Sequence, residues 1–152
     1  MGLNRLHAFL RRHRRIALDT NVFIYQLEGN ARYLPLTNQV FSWLDSLDSK
    51  AITSTVTMTE LLVQPLREGD EQRAELYYSL FSRHPNLHWI APDLDVAYLA
   101  ARYRAEHRLK TVDALHVATA VQASATGLIT NDAALARVPG IDVLVLETLL
   151  SA

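Results

Sequence analysis

Cysteine is absent from the 152 residues. Its absence excludes a disulfide framework, thiolate metal sites and a cysteine nucleophile, and is what a cytoplasmic protein would show. Glycine and proline are sparse, with five of each. No stretch has the composition of a linker, a repeat or a low-complexity segment, so one domain over residues 1–152 is expected. Long apolar runs are also missing. The longest, Ile141–Leu150, is interrupted by Asp142 and Glu147, well short of the ~18 residues a membrane helix needs. Residues 1–15 have no continuous apolar segment and no small-residue cleavage site, so they do not read as a secretory signal. Nor is there an excess of positive charge: the formal net charge is −1, where a generic nucleic-acid binder would be basic.

The basic residues present are clustered. Residues 1–15 form a basic N-terminal extension carrying Arg5, Arg11, Arg12, Arg14 and Arg15. A second group is Arg102, Arg104, His107, Arg108 and Lys110. Either cluster alone reads as a solvated face, although a few phosphate contacts are within its chemistry. Apolar residues make up 49% of the chain, enough to fill a sizeable core.

Short β-like runs alternate with longer helical patterns. Strands are expected at Ile16–Leu18, Ala51–Thr53, Leu87–Ile90, Leu128–Thr130 and Val143–Val145. Between them lie helical patterns at 22–27, 33–47, 55–64, 71–83, 94–101 and 112–125, with a short helix at 132–137. In the second of these, Val40, Trp43, Leu44 and Leu47 are spaced to share a face. Pro65 should end the third, and Gly127 should cap the helix starting at Val112. This alternation predicts an α/β fold with a mainly parallel sheet of about five strands and helices on both faces. Ligands of such sheets bind beyond the carboxyl ends of the strands.

Four acids fall near such ends. Asp19 follows the first strand, Glu60 lies in the helix after the second, Asp113 opens a helix, and Asp132 follows the fourth strand. Helix capping explains each one alone: Asp19 and Asp132 as N-caps, Glu60 in a capping box with Thr57, and Asp113 in a first turn after Thr111. Together they suggest a shared crevice, where four carboxylates cannot all stay ionised without compensation. A hard divalent cation supplies it, prefers oxygen ligands and leaves room for a phosphate. His116 stands three residues after Asp113, on its helical face. It reads more simply as a histidine packing near the core than as part of the site.

The segments carrying these acids resemble the PIN-domain ribonucleases, and among them the VapC-like toxins of toxin–antitoxin pairs. Ile16-Ala17-Leu18-Asp19-Thr20-Asn21 is similar to the family's opening motif. The run from Thr53 to Leu62, with Glu60 before Leu61, is similar to the second. Val112–Ala120, with Asp113 second, is similar to the third, and Leu128-Ile129-Thr130-Asn131-Asp132 to the last. One such motif is weak; four in order are specific. The resemblance spans roughly Arg15 to Leu150.

It implies an acidic metal site of Asp19, Glu60, Asp113 and Asp132, with Thr130 and Asn21 as supporting polar groups. It further implies Mg²⁺ or Mn²⁺ as cofactor, endonucleolytic cleavage of RNA by a metal-activated water, a homodimer and inhibition by a cognate antitoxin. Arg108 and Lys110, just before Asp113, are the best RNA-contact candidates. A housekeeping RNA-processing nuclease and a catalytically silent RNA- or protein-binding domain share these features. A nucleotide switch is disfavoured because no glycine-rich phosphate loop is present. A dehalogenase-like phosphatase would need an Asp where Asn21 stands. The basic extension is longer than many such toxins carry, and would suit an added helix, an RNA-contacting arm or a dimer element.

Overall fold

A computed structural model describes residues 2–150. The chain runs α1 (Gly2–Arg12), β1 (Arg15–Leu18), α2 (Thr20–Glu28), α3 (Leu34–Leu44), β2 (Lys50–Ser54), α4 (Thr55–Arg67), α5 (Glu71–Ser82) and β3 (Leu87–Ile90). It continues as α6 (Leu94–His107), α7 (Thr111–Gln122), β4 (Gly127–Thr130), a 3₁₀ turn (Ala133–Arg137), β5 (Asp142–Val145) and a second 3₁₀ turn (Leu146–Leu149).

The five strands form one sheet in the order β3-β2-β1-β4-β5, every pair parallel. Successive side chains of a strand point to opposite faces, and β1 divides its residues accordingly. Ile16 and Leu18 enter a core with Leu6 and Phe9 of α1, Phe23 of α2, Val40 of α3, Leu61 of α4 and Phe81 of α5. Ala17 faces the other core with Val96 and Ala100 of α6, Val117 and Ala118 of α7, and Leu128. Both faces are therefore covered, as an all-parallel sheet requires. From β1 the chain builds outward to β2 and β3, then returns to place β4 and β5 on the opposite side. The carboxyl ends of β1 and β4 thus flank the point where strand order reverses, the usual position of a ligand crevice.

The basic N-terminal segment forms helix α1. It buries Leu6, Phe9 and Leu10 and turns its arginines outward. Arg12 pairs with Asp142 at 2.6 Å, and His13 reaches the same carboxylate at 2.8 Å. Most of the extension therefore folds as a helix packed on the core.

Three local expectations are corrected. Helix α4 does not stop at Pro65 but continues to Arg67, with Pro65 itself buried. A proline removes only its own donor. The carbonyls of Gln64, Pro65 and Leu66 are taken by the amides of Glu68, Asp70 and Gly69, so burial of the ring prevails. Gly127 caps no helix: α7 is closed by Ser124 in the left-handed conformation, φ 63°, and Gly127 opens β4. Its missing side chain makes room for α1, since a Cβ there would lie 2.7 Å from Phe9 Cζ and 3.0 Å from the His13 ring. Leu47 does not share the face of Val40 and Leu44. Helix α3 ends at Leu44, and Leu47 is 99% exposed in the following turn.

Candidate active site

Asp19 ends β1 and is nearly buried. Its backbone N–H donates to Ile129 O at 3.0 Å, which ties it to β4. Its carboxylate is oriented on both oxygens. Oδ1 accepts from Thr20 N at 2.8 Å. Oδ2 accepts from Thr130 Oγ1 at 2.6 Å and from Asn21 Nδ2 at 3.4 Å. Thr130 is itself fully buried and accepts from Asp132 N at 3.0 Å. One hydroxyl therefore links the acids that end two neighbouring strands. Asn21 also bridges outward, its Oδ1 accepting from Asn131 N at 3.2 Å.

Capping and site roles coexist in two of the acids. Asp19 is the N-cap of α2, and Asp132 caps the 3₁₀ turn by accepting from Ala134 N at 2.9 Å. The other two serve no cap. Helix α4 is capped by Ser54, six residues before Glu60, so Glu60 closes no capping box. Lys110 is the N-cap of α7 and makes no side-chain cap bond, which leaves Asp113 in the first turn.

Two of the acids, Asp132 and Asp19, act on a third, Asp113. Burial, then the charges of Asp132 and Asp19 and a hydrogen bond with Asp132, push the Asp113 carboxyl up to about 6, against the opposing pull of His116. Glu60 stands to one side of this trio. Its Oε1 accepts from Thr20 Oγ1 at 2.6 Å and lies 2.8 Å from His116 Nε2. Burial would raise its pKa, but the hydrogen bonds from His116 and Thr20 outweigh it and hold the carboxyl below its ordinary value.

His116 is the bridge. Its side chain is 3% exposed, and Nε2 also lies 3.7 Å from Asp19 Oδ1. Burial disfavours its charged form, yet the Glu60 hydrogen bond and the charges of Asp19, Glu60 and Asp113 raise its pKa. The reading of His116 as a core-packing residue is thus incomplete: it is buried, but it belongs to the acid network. The i, i+3 spacing from Asp113 was the available signal. A hydroxyl ladder supports it from below. Thr53 donates to Leu18 O at 3.0 Å, so Thr57, 2.8 Å away, donates to Thr53 and leaves Thr20 to donate to Glu60. Thr20 and Thr57 carried no signal beyond their nearness to Asp19 and Glu60.

Arg108 and Lys110 are exposed in the turn before α7, with Arg108 in a left-handed conformation at φ 56°. Tyr103, on the preceding helix α6, is buried in the core. Among the described residues no three acids or histidines converge on one point as a ready-made cation cage. The donor chemistry nonetheless suits a hard divalent ion: carboxylate oxygens with unbalanced negative charge, as the raised Asp113 pKa records.

A doubly wound parallel sheet with carboxylates gathered at its switch point defines the protein as an α/β domain with an acidic crevice. More narrowly, it belongs to the PIN domain family, whose model matches residues 16–141. That match contains all four acids and excludes α1. No curated protein sequence matches significantly. Solved structures do. One is a toxin–antitoxin complex from Klebsiella pneumoniae, with 25% identity, TM-score 0.63, and 86% of this chain and 97% of that chain covered. Another is VapBC2 from Rickettsia felis bound to a DNA fragment from their promoter, at 16% identity and TM-score 0.65, covering 86% and 97%. A third is DNA-bound VapBC from Salmonella typhimurium, at 19% and 0.65, covering 87% and 98%.

Proposed function

We propose that the protein is a metal-dependent endoribonuclease and the toxin of a type II toxin–antitoxin pair. The observation that carries this reading is the carboxylate trio of Asp19, Asp113 and Asp132, with Asp113 pushed up to about 6 by burial and then by the charges of Asp132 and Asp19. Membership of the PIN family supports nuclease chemistry. Likeness to toxin–antitoxin complexes supports a protein antitoxin as partner. A homodimer working in the cytoplasm is part of the same proposal.

Asp19, Glu60, Asp113 and Asp132 would hold Mg²⁺ or Mn²⁺. Such an ion, when bound, lowers the pKa of a coordinated water and stabilises charge building on a phosphate. The chain's own residues prepare the rest. Thr130, Thr20 and Asn21 fix the Asp19 carboxylate in one orientation. One of the acids would relay the proton released by the attacking water. His116 holds Glu60 beside Asp19 and balances part of the negative charge. Arg108 and Lys110 would contact phosphates flanking the cleaved bond, positioning RNA without reading its sequence.

The test is incubation of purified protein with total cellular RNA in Mg²⁺, in Mn²⁺ and in EDTA, beside Asp19→Asn and Asp113→Asn. Discrete fragments from the wild type alone, abolished by EDTA, are expected. Folded, antitoxin-free protein that cuts nothing under either metal would overturn the nuclease reading in favour of a binding domain.

A further inference from the structure

The arginine run at the start of the chain does not act as one cluster. Arg12 is spent on Asp142, whereas Arg14 and Arg15 continue past α1 to the amino-terminal edge of the sheet. There Arg15 pairs in register with Lys50 of β2, which sets the two residues ~4.8 Å apart between neighbouring strands. Both are exposed although the rest of each strand is buried. Arg15 is steadied by donation from Nη1 to Ala123 O at 2.9 Å, and its other donors are left available. Arg14 and Lys50 make no side-chain hydrogen bond or ion pair among the described residues.

These three cations line a groove of about 560 Å³, together with Leu47 and a single acid, Asp48. A second hollow of about 280 Å³ opens from the same Arg15 and Lys50 and runs along the sheet past His88. The acids lie at the opposite, carboxyl edge. The four residues of β1 separate the two edges by ~13 Å.

We propose that this groove is a second RNA-binding surface, which grips the phosphate backbone of an RNA away from the acidic crevice. Three cations against one acid leave a local excess of positive charge on a chain whose net charge is −1. That polarity draws a polyanion to this edge, since the carboxylate edge repels it. The exposed Leu47 offers an apolar rim to a ribose or base. An oligonucleotide lying only over the acids would not reach the groove; an RNA long enough to wrap one edge of the sheet would. The inference shares with the proposed function the premise that the chain meets RNA, but it concerns binding and requires no cleavage.

The test is fluorescence anisotropy in EDTA, with a labelled RNA of about 30 nucleotides and a labelled trinucleotide. Full-length wild type would be compared with Arg14→Gln/Lys50→Gln, and with Arg102→Gln on α6 as a control. For the long RNA the double variant should bind on the order of tenfold more weakly near physiological salt. Its plot of log affinity against log salt should flatten by about 1.4–1.8, the share of two phosphate contacts. Arg102→Gln should match wild type with both RNAs. Unaltered binding of the long RNA would overturn the proposal. So would an equal loss for Arg102→Gln, which marks a general field effect, or a groove that takes polyglutamate and not RNA. Failure of the nuclease reading would register separately, as the absence of metal-dependent cleavage by wild type.

Discussion

Replacing Asp113 with asparagine should make the metal-free protein more stable at neutral pH. The carboxyl is displaced from 3.8 to about 6 by burial and by Asp132 and Asp19. At 1.36 kcal/mol per pH unit, ionising it in the folded protein costs at most ~3 kcal/mol. The side chain is only half-buried, and solvent screening reduces the figure to roughly 1 kcal/mol. Because the folded pKa lies above the unfolded one, the penalty is absent below about pH 4, where both states hold the proton. It grows as pH rises towards 6, where the unfolded chain has ionised and the folded one has not, and is constant above that. Thermal unfolding in EDTA between pH 4.5 and 7.5 would read this out. The variant should overtake wild type as pH rises and melt roughly 2–4 °C higher at pH 7.5. Added Mg²⁺ should reverse the order, because a ligand held by the native acids stabilises wild type more. A variant less stable than wild type in EDTA at pH 7.5 would refute the repulsion argument and make Asp113 a favourable helix-start charge instead.

Thr130→Val keeps the shape but removes the donor to Asp19 and the acceptor for Asp132 N. We expect it to cost about 1–3 kcal/mol and most of the RNA cleavage, and Thr130→Ser to preserve both; denaturant unfolding and the cleavage assay decide. Phe9→Ala should cost ~3–5 kcal/mol in urea unfolding, because the ring is core rather than appendage. Gly127→Ala should cost ~1–3 kcal/mol by forcing Phe9 and His13 aside, and unchanged stability would mean α1 sits loosely. Arg32→Ala, which breaks an exposed pair with Glu147, should leave the urea unfolding curve where wild type has it, since solvent screens such pairs.

The strands and the acids were legible because their signals are local. Apolar triplets such as Ile16–Leu18 flanked by helical patterns announce parallel strands, and three of the acids follow one or open a helix, while Glu60 lies within the helix after β2. What stayed hidden depends on elements distant in sequence. Glycine at 127 reads as a helix cap until α1 is seen packed against it from more than a hundred residues away. His116 reads as core until Glu60, on a different helix, is placed 2.8 Å from its ring. Thr20 and Thr57 are two of many threonines until they stack beneath the same carboxylate. Pro65 misleads for a related reason: helix propensity is local, and the burial that overrides it is not. The basic N-terminal segment has a helical apolar face in Leu6, Phe9 and Leu10, but the density of arginines masks it, and the sequence alone leaves an added helix, an RNA-contacting arm and a dimer element equally open.

The Thr130 hydroxyl has a single proton, and the structure commits it. It must be given to Asp19, so the amide of Asp132 must be received by a lone pair. Only a side chain that donates and accepts through one atom, at the length of a β-hydroxyl, can do both at this fully buried position. Serine is the one natural alternative. A substitution that keeps both bonds can therefore only add or remove a methyl group. Neighbouring Asn131, whose side chain faces Tyr25 and the Glu147 amide instead, has wider latitude. Any lineage that reshapes this crevice must therefore do so around residue 130 and not through it.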